Sequence, residues 1–207
     1  MKNSLFIVIE GIDGSGKSEM VKLLHNYLFS RSKKYRILTT REPTNGTYGS
    51  RIRQMLRGEK DPKSSGSKLM ELFIKDRNEH LNKSIIPFLS NPNEQEVNIV
   101  LCDRYYYSTI AFQGAQGLDM KRIIAKNKKF TKPNIAFILD VDPSIALERI
   151  KMREKEKFEQ LFFLKKIREN FLKLPQLLGD NIKIIDSSKA LDKVFDDVKK
   201  ETDKILR

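Results

Sequence analysis

The sequence of 207 residues contains one cysteine, no tryptophan and no apolar run long enough to cross a bilayer. Because a membrane helix needs about 20 consecutive apolar residues, we expect no segment that spans a membrane. The lone Cys102 excludes an internal disulfide and is typical of proteins from a reducing compartment. The N-terminus leads directly into a predicted strand, which leaves no room for a secretory signal. These absences predict a cytoplasmic protein.

Acidic residues are scarce relative to basic ones, with 27 Asp and Glu against 40 Lys and Arg and a net charge of +13. This balance favours an anionic partner such as nucleic acid, a membrane surface or a phosphorylated small molecule. The alternative is a set of solvated lysine-rich faces without a partner. The sequence has no helix-turn-helix pattern, zinc-ligand spacing or aromatic–basic alternation, so we expect no nucleic-acid partner.

Short apolar runs alternate with segments of helical periodicity along the whole chain. The runs read as buried strands, and they lie at 5–9, 35–40, 98–102, 135–139 and 182–185. A helical segment reaches roughly from Leu69 to Leu89, and a helix over 108–113 is expected to be broken by Gly114 and Gly117. This alternation predicts an α/β fold, with a five-stranded parallel sheet and helices on both faces, as one domain over 1–207.

Residues 11–18, GIDGSGKS, match the phosphate-binding pattern G-x-x-x-x-G-K-[ST] between a predicted strand and a predicted helix. Glycines allow the backbone to turn its N–H groups inward onto phosphate oxygens. Lys17 would reach the β- and γ-phosphates as a catalytic residue, and the Ser18 hydroxyl would ligate Mg²⁺. The predicted ATP-binding residues are Gly11, Ile12, Asp13, Gly14, Ser15, Gly16, Lys17 and Ser18.

Asp103 and Arg104 directly follow the third predicted strand, so they should lie beside the phosphate loop. The Asp103 carboxylate is suited to hold Mg²⁺ directly or through water. The Arg104 guanidinium offers a bidentate grip on a phosphate. Both are predicted catalytic residues. The alternative is a surface ion pair at the start of the next helix, which would be of little energetic consequence.

Four segments in order resemble the thymidylate kinase family. They are IEGIDGSGKS at 9–18, TTREPTNGT at 39–47, LFIKDRNEH at 72–80 and CDRYYYSTIAFQG at 102–114. The resemblance implies a P-loop nucleoside monophosphate kinase that transfers a phosphoryl group from MgATP to dTMP, giving dTDP. It also implies a homodimer. The segment Pro43-Thr44-Asn45 departs from the family's Pro-Gly-Gly, which affects the loop around the acceptor.

The resemblance assigns the nucleotide base to two residues four apart on a helix: Phe73 would stack on thymine, and Arg77 would bond its carbonyl edge. Alone, Phe73 would more often be a core residue. Further substrate contacts implied by the resemblance are Asp13 on the sugar 3′-hydroxyl, Arg53 and Arg104 on the monophosphate, Thr109 and Gln113 on the base, and Phe112 against the 2′ position.

Some thymidylate kinases carry an arginine inside the phosphate loop, where this sequence has Gly14 and Ser15. The resemblance is therefore to the subgroup that supplies this arginine from a lid, here at about 149–160. Arg153 is the first candidate and Arg149 the second, although such a charged run also fits a solvated helix face. Other hypotheses are a deoxynucleoside kinase, a kinase for another monophosphate, and a nucleotide-binding regulator without catalysis.

Overall fold

The computed structural model describes residues 4–58, 65–90, 95–150 and 154–206, with the backbone alone for 154–159. In this part of the chain, five parallel strands form one sheet in the order β2-β3-β1-β4-β5. The strands are β1 Ser4–Gly11, β2 Tyr35–Arg41, β3 Val97–Asp103, β4 Ile135–Asp140 and β5 Ile182–Asp186. All five predicted strands are confirmed, and each is slightly longer than the apolar run that predicted it.

Helices connect the strands in sequence order. They are α1 Lys17–Arg31, α2 Thr47–Gly58, α3 Gly66–His80, α4 Ile86–Ser90, α5 Tyr106–Ala115, α6 Met120–Asn127, α7 Pro143–Arg149, α8 Glu154–Leu177 and α9 Leu191–Ile205. A π-helical turn, Leu81–Ile85, joins α3 to α4. The long helical segment expected between Leu69 and Leu89 is thus confirmed, with one local change of pitch.

Side chains of β1 alternate between two hydrophobic cores, one on each face of the sheet. Phe6 and Val8 pack in the core that includes residues of α5 and α8. Ile7 and Ile9 pack in the opposite core, with residues of α1 and α9. Because both faces of the strand are buried, its sequence is continuously apolar. The predicted helices on both faces are confirmed.

The parallel arrangement brings the carboxyl ends of the central strands to one edge of the sheet. In the strand register, Asp103 at the end of β3 lies beside Ile9 of β1 and Arg41 of β2. The glycine-rich loop follows β1 at this edge. Ligands of open α/β sheets bind at this position.

Gly114 does not break α5, which continues to Ala115. A Cβ on Gly114 would lie 2.9 Å from Met120 Cγ and 3.1 Å from Asn170 Nδ2, so close packing requires this glycine. The chain turns after α5 at Gly117, whose φ is +99°. Among the described residues, no helix has the length and apolar character that a bilayer crossing requires.

Candidate active site

The loop between β1 and α1 has the backbone conformation that its sequence predicts. Gly14 and Gly16 have φ values of +80° and +94°, in the region that favours glycine. A Cβ on Gly14 would also lie 2.3 Å from the carbonyl oxygen of Ala146 in α7. Helix α1 begins at Lys17, and its N-cap residue is Gly16, which has no side chain to cap the first amides. The first amides of this helix are therefore suited to bind an anion.

Lys17 points its ammonium group back onto the loop. Its Nζ donates to the carbonyl oxygen of Ile12 at 2.8 Å and lies 3.8 Å from Oδ1 of Asp13. The residue is 7% exposed. Burial, together with the nearby Arg104 cation, lowers the pKa of Lys17 to about 8. The ion pair of this ammonium with Asp13 is long, and a bound phosphate would supply a closer anion.

Ser18 and Asp103 bring a hydroxyl and a carboxylate together at the start of α1. Ser18 Oγ lies 3.4 Å from Asp103 Oδ2. The other carboxylate oxygen, Asp103 Oδ1, is buried and has no hydrogen-bond partner in the described part of the chain. A buried carboxylate oxygen without a partner is costly unless a ligand satisfies it.

Arg104 joins the end of β3 to the phosphate loop. Its φ of +72° is unusual for a non-glycine residue. Its Nη1 donates to the carbonyl oxygen of Gly11 at 3.0 Å, and its Nη2 forms an ion pair with Asp13. Burial opposes ionisation of Asp13, but the Arg104 and Lys17 cations outweigh it and hold the pKa of that carboxyl below its usual range. The Asp13 side chain remains 64% exposed, so a ligand can reach it.

A cavity of about 600 Å³ opens beside this ion pair. Five residues that the sequence predicted as substrate contacts line it: Asp13, Phe73, Arg104, Phe112 and Gln113. They come from the phosphate loop, α3, the end of β3 and α5. The structure therefore brings together residues up to 100 positions apart in the sequence, with aromatic rings and charged groups in one pocket. Such a combination is typical of a site for a polar ligand with a planar ring.

Arg77 is not among the residues that line this cavity, and it is fully buried. Its Nε donates to Glu42 Oε2 at 2.9 Å, and its Nη1 donates to Asn127 Oδ1 at 2.6 Å. Its Nη2 donates to Thr109 Oγ1 at 3.0 Å. The predicted pair on α3 is thus divided: Phe73 lines the cavity, whereas Arg77 is enclosed by Glu42, Asn127 and Thr109.

The loop after β2 is fixed by a buried carboxylate. Asp76 of α3 accepts hydrogen bonds from the Thr44 N–H at 2.8 Å and from Thr44 Oγ1 at 2.6 Å. Arg53 of α2 donates to the carbonyl oxygen of Pro43 at 3.1 Å, and Pro43 forms part of the cavity wall. The departure from the family's Pro-Gly-Gly therefore provides a specific anchor for this loop.

Of the two candidate lid arginines, the structure describes only Arg149. Arg149 ends α7, and its Nη2 donates to the carbonyl oxygen of Ser187 at 3.0 Å. Its Nη1 is 3.5 Å from the carbonyl oxygen of Gly14 in the phosphate loop. Arg153 lies outside the described residues.

Sequence reasoning missed four buried residues that hold the site: Glu10, Glu42, Asp76 and Asn127. Glu10 carried a detectable signal, because it is an acidic residue at the end of an apolar strand and must find partners when buried. The others bond to residues between 32 and 50 positions away, and no local pattern marks such a contact. His80 of α3 also contacts Glu42, at 3.2 Å.

A phosphate loop at the carboxyl edge of a parallel sheet, followed by an Asp-Arg pair, defines a P-loop nucleotide-binding protein. A sequence model described as thymidylate kinase matches residues 9–198. The chain belongs to the thymidylate kinase family, and it is a kinase.

Individual relatives agree along nearly the whole chain. The chain is 38% identical over 202 residues to a protein of Thermococcus kodakarensis named "Probable thymidylate kinase", covering 94% of this chain and 95% of that one. It is 37% identical over 206 residues to the "Thymidylate kinase" of Desulfotalea psychrophila, covering 97% and 95%. It is 41% identical over 187 residues to that of Leptospira interrogans, covering 88% and 86%.

Proposed function

We propose that this protein transfers the γ-phosphoryl group of ATP to dTMP, giving dTDP and ADP, in dTTP biosynthesis. The observation that carries the proposal is the ion pair between Asp13 and Arg104, which joins the phosphate loop to the cavity containing Phe73. Donor and acceptor sites therefore share a wall. An oxygen of the acceptor phosphate attacks the γ-phosphorus, and the bond from that phosphorus to the β,γ-bridging oxygen breaks as ADP leaves.

The donor phosphates are held by the loop amides and by Lys17. Lys17 is buried and only weakly paired with Asp13, at 3.8 Å, so its ammonium can turn to the β- and γ-phosphates. The N-terminus of α1, whose N-cap residue is Gly16, adds partial positive charge. Phosphoryl transfer depends mainly on such positioning and charge neutralisation.

Mg²⁺ is the cofactor that the Ser18 hydroxyl and the Asp103 carboxylate fit. The fit rests on Asp103 Oδ1, which is buried without a partner in the described part of the chain. No cluster of three or more His, Cys, Asp or Glu side chains suitable for a metal occurs among the described residues. Mg²⁺ commonly uses only one or two carboxylates, so Ser18 and Asp103 would hold it together with the nucleotide phosphates. When bound, the ion neutralises charge on the transferred group.

The acceptor base would stack on Phe73, which lines the cavity. Gln113 Oε1 is buried without a hydrogen-bond partner in the described chain, so it can accept from the N3–H of thymine. Arg77 orients the Thr109 hydroxyl for the same base. Phe112 lines the cavity as a barrier against a 2′-hydroxyl.

The acceptor phosphate would lie against Arg104, which lines the cavity, and would also contact Arg53, which donates to the carbonyl oxygen of the lining residue Pro43. Asp13 remains accessible for the sugar 3′-hydroxyl. Both arginines are suited to bidentate contacts with phosphate oxygens. These contacts would aim the acceptor oxygen at the γ-phosphorus.

We also propose that residues 1–207 form a single kinase domain, with a lid at about 149–160. Arg153 would supply the transition-state charge that Gly14 and Ser15 lack, with Arg149 as the alternative. We further propose a cytoplasmic homodimer without a nucleic-acid or membrane partner, on the basis of the family relationship. Sedimentation equilibrium would test the dimer.

The test of this function is ADP formation from ATP with dTMP or thymidine as acceptor. We expect turnover with dTMP, product dTDP, and a requirement for Mg²⁺. Turnover of thymidine without turnover of dTMP would identify a deoxynucleoside kinase instead. ATP binding without product at high protein concentration would identify a regulator that does not catalyse the reaction.

A further inference from the structure

Glu10 is a buried carboxylate, 0% exposed, at the end of β1 and directly before the phosphate loop. Three donors meet its two oxygens. Oε1 accepts from the backbone N–H groups of Tyr105 at 2.7 Å and Ser108 at 3.1 Å, and Oε2 accepts from the Ser108 hydroxyl at 2.6 Å. Burial raises the pKa of Glu10, while the Arg104 cation and these hydrogen bonds oppose the rise.

The hydrogen bonds around Ser108 have a fixed direction. Arg104 Nη1 lies 2.9 Å from Ser108 Oγ, and a guanidinium can only donate. Ser108 Oγ must therefore accept from Arg104, and its single proton is given to Glu10 Oε2. A relay runs from the Arg104 guanidinium through one hydroxyl to the Glu10 carboxylate.

Glu10 also holds the backbone on which Arg104 depends. Arg104 has a φ of +72°, a conformation that a non-glycine residue keeps only when the surrounding structure fixes it. Glu10 binds the amide of Tyr105, the residue after Arg104, and the amide of Ser108 in the first turn of α5, and so fixes the start of this helix. On the other side, the Arg104 N–H donates to the carbonyl oxygen of Ile9 at 3.0 Å.

We propose that Glu10 is a positioning residue for phosphoryl transfer, which directs the Arg104 guanidinium at the acceptor phosphate through Ser108. This inference rests on the proposed function, because it assigns Arg104 to the acceptor phosphate. Glu10 touches no substrate, since it is completely buried. It links the end of β1, which begins the donor loop, to the residue that grips the acceptor.

The chemistry requires a carboxylate at this position. Glutamine has nearly the same shape but offers one acceptor oxygen and one NH₂ donor. In Glu10→Gln, one of the two carboxylate oxygens is replaced by an NH₂ group, which cannot accept a hydrogen bond. In one orientation this NH₂ group faces the N–H groups of Tyr105 and Ser108, and in the other it faces the Ser108 hydroxyl. The relay to Arg104 or its backbone support is then broken, with little change of volume.

The test is a double-mutant cycle of Glu10→Gln and Arg104→Ala, read by dTMP affinity in calorimetry and by kcat and KM. We expect Glu10→Gln to weaken dTMP binding about tenfold, the scale of a lost charge-assisted hydrogen bond, and to leave the KM for ATP within about twofold. In the Arg104→Ala background, Glu10→Gln should have little further effect on dTMP affinity, because the residue acts through Arg104. Additive losses, or unchanged dTMP affinity in Glu10→Gln, would overturn the inference.

Ser108→Ala provides a second variant if Glu10→Gln does not fold. It removes the relay and keeps the bonds from Glu10 to both backbone amides. We therefore expect Ser108→Ala to weaken dTMP binding as Glu10→Gln does, and to have little further effect in the Arg104→Ala background. An additive loss in this cycle would also overturn the inference. Failure of the proposed function is distinguishable, because the wild-type protein would then neither bind nor phosphorylate dTMP.

Discussion

The guanidinium of Arg104 and the carboxylate of Asp13 form an ion pair across the carboxyl edge of the sheet. Asp13 belongs to the phosphate loop, and Arg104 directly follows β3. Because a phosphate competes with a carboxylate for a guanidinium, binding of the acceptor phosphate should draw Arg104 away from Asp13. Asp13 would then be available to the sugar hydroxyl. The two residues of this ion pair would thus each contact the substrate, Arg104 at the phosphate and Asp13 at the sugar.

ATP binding should be accompanied by proton uptake at Lys17. With a pKa of about 8, this residue is half deprotonated at pH 8 in the free protein. Bound phosphates favour the ammonium form, so its pKa should rise on binding. Calorimetry of ATP binding at pH 8 in two buffers of different ionisation enthalpy should show net uptake, which disappears at about pH 6.5, where Lys17 is already charged.

Lys17→Ala is the control for this proton. We expect it to abolish turnover, to leave the fold intact by circular dichroism, and to remove the uptake at pH 8. Uptake of the same size in Lys17→Ala would assign the proton to another group.

Loss of the lid arginine should lower kcat rather than substrate affinity. An arginine that stabilises the transition state in phosphoryl transfer contributes about 10³-fold or more, so Arg153→Ala should lose activity on that scale. Arg149→Ala is the matched comparison. Because Arg149 bonds to the carbonyl oxygen of Ser187, we expect it to affect thermal stability more than kcat. Full kcat in Arg153→Ala would show that the lid assignment is wrong.

Asp76→Ala should loosen the acceptor loop. The substitution leaves both the N–H and the hydroxyl of Thr44 without their buried acceptor, which costs about 1–3 kcal/mol of unfolding free energy. We expect a higher KM for dTMP and an unchanged KM for ATP, measured by steady-state kinetics. Asp76→Asn retains one acceptor oxygen and should show a smaller effect. An equal rise of both KM values would argue for a general loss of structure.

Phe112→Ala should relax discrimination against a ribose. The ring lines the cavity, and the Cζ atom of Arg104 lies over it, 5.2 Å from the centroid of the ring. Removing the ring should lower the ratio of kcat/KM for dTMP to kcat/KM for its ribonucleotide analogue by about tenfold. This is the scale of discrimination that one apolar contact in a pocket provides. Phe112→Tyr keeps the ring and should preserve the ratio. An unchanged ratio in Phe112→Ala would place the discrimination elsewhere.

The sheet and the phosphate loop could be predicted because their signals are local. Apolar runs mark the strands, and GIDGSGKS is continuous in sequence. The shared cavity could be predicted only in part: Phe73 and Phe112 face it, but nothing local indicated that Arg77 is enclosed by Glu42 and Asn127. Burial of a polar side chain depends on partners brought by the fold, and helical spacing alone does not reveal them.

The most direct test of the account is the acceptor preference of the enzyme with MgATP. We predict that kcat/KM for dTMP exceeds that for dCMP, dGMP and AMP by about tenfold or more, because the contacts proposed for Phe73 and Gln113 suit a pyrimidine with an N3–H group. The measurement follows ADP formation with each monophosphate at equal concentration. Absence of turnover with dTMP, together with rapid turnover of another monophosphate, would contradict it.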